Sequence, residues 1–335
     1  MRIHVVSLAI ALLFARSSSG AVGFQEATVP DPQGEAIAVG IWYPSDGQPS
    51  PQPLGMFSQT VAADSDISGK SLPLVLISHG TGGSLASHYD TAIALAEAGF
   101  VVAALTHTGD NYADQSYVGN RKDLIDRPRQ VRVVLDWMLS SWGDHNSLNA
   151  ERVGIFGFSL GGFTSLVEIG GTPELGRMAQ LCSMYPSAPE CAFIAKSHGD
   201  QLIPTATKPT WIRDPRIKAA VIAAPAAGFL FGAGDLRQVS IPVQLWRAGN
   251  DTQAPDQWNS GIIRKELPRR REDQLVPGAD HFAFLAPCSN ALAAAAPEIC
   301  QDPPGFDRAA FHRAFNKAVV RFFSEELKER IGPRV

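Results

Sequence analysis

In this chain of 335 residues, the pattern with the most direct chemical consequence is Gly157-Phe158-Ser159-Leu160-Gly161. A serine hydroxyl becomes a nucleophile only when a neighbouring base removes its proton. Glycines on either side permit a tight strand-to-helix turn that lifts the hydroxyl clear of the surrounding backbone. The apolar run Val153 to Phe156 supplies the strand such a turn needs, and Gly162 to Val167 begins the helix. Ser159 is therefore the candidate nucleophile rather than an ordinary turn serine.

A nucleophilic serine requires a base, and the base requires an orienting acid. Downstream of Ser159 stand His198, His281 and His312. His312 lies within the last helical pattern beside Arg313, which predicts a surface position, and His198 falls in an irregular stretch. His281, in Gly278-Ala279-Asp280-His281-Phe282, follows the last strand, where a loop can carry an imidazole over the strand ends. It is the candidate base. For the acid, Gln244-Leu245-Trp246-Arg247 reads as a strand running into Ala248-Gly249-Asn250-Asp251-Thr252, so Asp251 is the candidate. Asp235, Asp256 and Asp280 compete: the first has no strand before it, the second lies further along the loop, and the third is adjacent to His281. Attack on a carbonyl also creates an oxyanion that needs two preset donors. The Leu160 N–H, at the start of the helix after Ser159, is one candidate. The Thr81 N–H in His79-Gly80-Thr81-Gly82-Gly83 is the other, with His79 read as the anchor of that loop. These glycines lack the G-x-G-x-x-G spacing and the Lys-Ser/Thr pair of a phosphate cradle.

Such residues must be held at the ends of strands. Val22 to Ala27 and Ala36 to Tyr43 read as strands, and residues 44–70, rich in Ser, Gly, Pro and Asp, as a long loop. Leu72 to Ser78 and Phe100 to Leu105 are apolar runs of the kind found in buried parallel strands. Helical spacing covers 87–98, 121–139 and 306–327, the last presenting Phe311, Phe315, Val319 and Phe322 on one face. Further strands are expected at 152–156, 219–224, 243–247 and 273–276. Strands alternating with helices predict a mostly parallel central sheet covered by helices on both faces. Residues 171–216 break the alternation and read as a cap-like insertion in a single domain spanning 22–335.

Residues 1–21 read as a secretory signal peptide: Arg2, then an apolar stretch of 11 residues from Val5 to Ala15, then Ser19-Gly20-Ala21 as a cleavage site. No later segment is apolar enough to anchor in a membrane. The four cysteines fall into close pairs, Cys182 with Cys191 and Cys288 with Cys300. Three connectivities are open, and the short-range one costs least in loop closure. None of the spacings suggests a zinc or redox site, so no metal is expected. With 45% hydrophobic and 19% charged residues the chain can close a large core, and its net charge of −4 gives no footprint for nucleic acid. The basic cluster Arg269 to Arg271 runs straight into Glu272 and Asp273 and reads as a solvated loop.

Taken together, His79-Gly80-Thr81-Gly82-Gly83, the Gly157 to Gly162 turn, Gly249-Asn250-Asp251 and Asp280-His281-Phe282 resemble the α/β-hydrolase superfamily. Ile41-Trp42-Tyr43-Pro44 and Leu105-Thr106-His107-Thr108-Gly109-Asp110-Asn111 point within it to secreted serine hydrolases grouped with dienelactone hydrolases and platelet-activating-factor acetylhydrolases. The chain departs from both patterns. Ser159 stands where dienelactone hydrolases carry cysteine, and Ala219 to Pro225, where acetylhydrolases take their acid, has no carboxylate. The resemblance implies an α/β-hydrolase fold and an exported enzyme cleaving small-molecule carboxylic esters of short to medium acyl chains, without cofactor. An amidase or peptidase on the same residues, or a non-catalytic binding protein of this fold, remain the alternatives.

Overall fold

The computed structural model describes residues 20–197, 209–268 and 272–327. The expected signal segment lies outside them except for Gly20 and Ala21, as do His198 and the cluster at 269–271. Ten strands form one sheet: β1 (Ala21–Val29), β2 (Ile37–Ser45), β3 (Ser50–Leu54), β4 (Phe57–Ala63), β5 (Leu72–Ser78), β6 (Val101–Leu105), β7 (Leu148–Phe158), β8 (Ile217–Ala223), β9 (Val243–Ala248) and β10 (Glu272–Val276). Their order is β10-β9-β8-β7-β5-β6-β2-β1-β4-β3. From β6 to β10 every neighbouring pair is parallel, whereas β1 and β2 join antiparallel. This is the expected α/β-hydrolase sheet.

Strand periodicity explains why helices lie on both faces. Side chains alternate across a strand, so Leu74 and Leu76 of β5 enter one core and Val75 and Ile77 the other. The first core packs against α2 (Arg121–Ser140) and α3 (Leu160–Glu168) through Val131, Val134, Phe163 and Leu166. The second packs against α1 (Tyr89–Glu97), and against a long C-terminal helix, Arg308–Glu326, through Phe315, Val319 and Phe322. Between α3 and that last helix come α4 (Arg177–Met184), α5 (Pro189–Lys196), α6 (Ser260–Glu266), α7 (Asn290–Ala295) and α8 (Pro297–Cys300), which makes the C-terminal helix α9. No helix among the described residues is long and apolar enough to cross a membrane.

Residues 44–70 are not a loop throughout. β3 and β4 form a hairpin closed by Gly55 at φ 57°, and β4 runs parallel to β1. Pro51 and Pro53 disguise it: proline cannot donate to a ladder, but β3 is the outermost strand, where the missing N–H costs nothing. In the described part of 171–216, Leu175, Met178 and Leu181 pack into the same core as Phe163 and Phe231. Cys182 and Cys191 stand there at disulfide distance, 5.5 Å between Cα atoms, and Cys288 and Cys300 at 5.8 Å.

Candidate active site

The turn from β7 into α3 is as tight as its glycines allow. Ser159 sits at φ 54° and ψ −120°, a strained conformation for a residue with a side chain. It is fastened from both sides: its N–H donates to the Ala223 carbonyl at 3.0 Å, and its own carbonyl accepts from Ala226 N–H at 3.0 Å. Here α3 presses against the end of β5, so a Cβ on Gly161 would lie 2.0 Å from the Ser78 carbonyl oxygen and 2.8 Å from that of His79. Both obstacles are backbone. Gly161→Ala is therefore expected to cost about 3 kcal/mol of stability. Chemical denaturation checks this, and an unchanged midpoint would contradict the close approach.

Three of the sequence candidates come together over the strand ends. Ser159 Oγ lies 2.8 Å from His281 Nε2, and His281 Nδ1 lies 2.8 Å from Asp251 Oδ2. Ser159 is 8% exposed and His281 4%, so the pair is shielded without being sealed. The Phe158 ring lies against the His281 ring, with centroids 5.0 Å apart and planes tilted by 40°. Asp251 Oδ1 accepts from Gln253 and Ala254 N–H at 3.0 and 2.7 Å, which fixes the carboxylate and turns Oδ2 toward the imidazole. The other carboxylates are engaged elsewhere: Asp235 with Arg177, Asp256 with Arg247 and Ser260, and Asp280 as cap of the turn His281–Phe284. Burial raises the Asp280 carboxyl above its ordinary value.

The loop after β5 runs alongside this turn. A methyl group on Gly80 would sit 2.9 Å from Ser159 Cβ. Among the described residues, neither the Thr81 nor the Leu160 N–H has an acceptor in the protein. His79 does anchor the loop: its Nδ1 faces the Gly80 carbonyl at 2.6 Å, and its Nε2 accepts from His107 N–H at 3.0 Å. Burial first, and then the Arg127 guanidinium, hold His79 and His107 well below the usual imidazole range, so both are neutral at pH 7.

Two groups near the site escaped sequence reasoning. His312 is not at the surface; it is 2% exposed, with Nδ1 2.6 Å from Asp90 Oδ2 and Nε2 2.9 Å from the Ala283 carbonyl. Its spacing three residues before Phe315 and seven before Val319 already put it on the inward stripe of α9. The second is Arg127 with Asp110, a pair 2.5 Å apart that is buried on both sides. The signal was a charge on the apolar face of α2, in register with Leu124 and Val131. Asp123 beside them has its carboxyl pushed well above the ordinary range, by burial and then by the Asp110 charge.

The family model described as platelet-activating factor acetylhydrolase, isoform II, matches residues 54–136. The match spans β5, α1 and β6 and ends before Ser159. No curated protein matches the chain. Sheet order and the strained turn at Ser159 are those of an α/β-hydrolase fold, and the match over residues 54–136 supports a likeness to the platelet-activating-factor acetylhydrolase group within it.

Proposed function

We propose that the chain is an exported serine hydrolase that cleaves carboxylic esters of short to medium acyl chains through an acyl-enzyme. One observation carries this reading: the unbroken line from Ser159 Oγ through His281 to Asp251, with both steps at 2.8 Å. In this reading Ser159 Oγ attacks the ester carbonyl while His281 Nε2 takes its proton. The tetrahedral oxyanion is received by the N–H groups of Thr81 and Leu160. Collapse expels the alcohol, which His281 protonates. Water then attacks the acyl-enzyme by the reverse use of the same base, releasing the acid and restoring Ser159. Asp251 holds His281 in the tautomer that keeps Nε2 free to accept, and stabilises the imidazolium when it forms. Cysteine pairs at disulfide distance support an exported protein.

A fluorophosphonate probe tests the reading, because it reacts with a serine only where a base has activated it. Stoichiometric labelling is expected, with the adduct mapped by peptide mass to Ser159. The same sample should hydrolyse p-nitrophenyl esters with an optimum between acetate and octanoate and leave p-nitroanilides intact. A label on another serine would overturn the assignment, and faster cleavage of anilides than esters would turn the reading to an amidase.

A further inference from the structure

The two oxyanion donors of the proposed site come from separate pieces of chain, the turn after β5 and the first residue of α3. Their separation must be fixed for both to meet one oxygen. A buried cation bonds the first piece directly and the second through one hydroxyl. Arg127, 1% exposed, donates through Nη1 to Asp110 Oδ2 at 2.5 Å, through Nη2 to the His79 carbonyl, and through Nε to Thr164 Oγ1 at 3.2 Å. Asp110 is fully buried, and its other oxygen accepts from Gly82 N–H at 2.7 Å. The chain is thus held on both sides of Thr81, at the carbonyl of His79 and at the amide of Gly82. On the other branch, the Thr164 hydroxyl donates to the Leu160 carbonyl at 3.0 Å, so the guanidinium also reaches the residue that carries the second donor.

We propose that Arg127, with Asp110, is the positioning residue of the oxyanion site, setting the distance between the Thr81 and Leu160 N–H groups. The inference rests on the reading of Ser159 as nucleophile. Arginine suits the task because its planar head donates in several fixed directions at once, whereas a lysine ammonium on a flexible stem cannot hold three acceptors in a set geometry. Stability alone does not account for the pair, since well-packed apolar side chains often serve a buried site as well as an ion pair does. What an apolar side chain cannot do is fix a carbonyl and, through a carboxylate, an amide within one turn.

The test compares Arg127→Lys, Arg127→Met and Thr164→Val with the unaltered protein. Active sites are counted by fluorophosphonate labelling, and kcat and KM are measured with p-nitrophenyl acetate. The affinity of an alkyl trifluoromethyl ketone is measured alongside, because its adduct with serine carries the tetrahedral oxyanion. For both Arg127 variants kcat per labelled site is expected to fall about 100-fold with KM within twofold, and ketone affinity to weaken in parallel. Thr164→Val removes one hydroxyl, keeps the volume and leaves the loop contacts in place. It is expected to lower kcat about fivefold, again with matching loss of ketone affinity. If the arginine variants do not fold, Thr164→Val decides alone. Unchanged kcat per labelled site, or a fall in kcat with ketone affinity unchanged, would overturn the positioning role. Failure of the unaltered protein to label or turn over would instead overturn the reading of Ser159.

Discussion

Alanine at position 159 is expected to lower turnover of p-nitrophenyl acetate by about 10⁵-fold while the protein folds as before. The hydroxyl contributes one side-chain hydrogen bond, to His281 at 2.8 Å, and its removal leaves His281 still held by Asp251. The backbone at this position is strained at φ 54°, but serine and alanine bear that strain equally because each carries one Cβ. The contacts that set the turn, to Ala223 and Ala226, are made by backbone atoms and survive. The unfolding midpoint should therefore stay within a few degrees of its original value. Without the nucleophile, the imidazole and the two free N–H groups can assist water only weakly, so a small residual rate is expected. Loss of activity with the midpoint retained separates chemistry from folding. A variant within tenfold of the original rate would mean that another nucleophile carries the reaction.

The residues that meet at Ser159 were legible because each belongs to a local signature. Gly157 and Gly161 announce a turn, Asp251 follows a strand in a loop, and His281 stands between the last strand and the last helix. Their partners depend only on the order of elements along the chain, which a parallel sheet with helical crossovers nearly fixes. What could not be read were pairings between side chains that no local motif announces. Asp110 and Arg127 are 17 residues apart on a loop and a helix, and a charged residue read alone is assigned to solvent. His312 was misplaced for the same reason: Arg313 beside it suggested water, while its partner Asp90 lies 222 residues away on α1. The hairpin of β3 and β4 was hidden by its prolines, whose tolerance depends on β3 lying at the edge of the sheet. In each case the local composition was ambiguous, and a distant contact settled it.

Asparagine at position 251 is expected to reduce kcat by about 10⁴-fold with little change in KM. Aspartate and asparagine have the same shape, so the effect must come from hydrogen-bond direction. Oδ1 of Asp251 accepts two backbone N–H groups, from Gln253 and Ala254, and an amide can satisfy both only with its oxygen in that position. The NH₂ group is then forced toward His281 Nδ1, which at present lies 2.8 Å from Oδ2. To accept from that NH₂, Nδ1 must be unprotonated, and a neutral imidazole then carries its proton on Nε2. That nitrogen faces Ser159 Oγ, and once protonated it can no longer take the serine proton. The two N–H groups on Oδ1 block the flip that would relieve the conflict. Asp251→Asn should thus lose fluorophosphonate labelling as well as turnover, because both need the same proton transfer, and its fold should be retained. If the variant keeps more than a tenth of the original labelling rate, His281 is held in its working tautomer by some other group, and Asp251 is not the orienting acid.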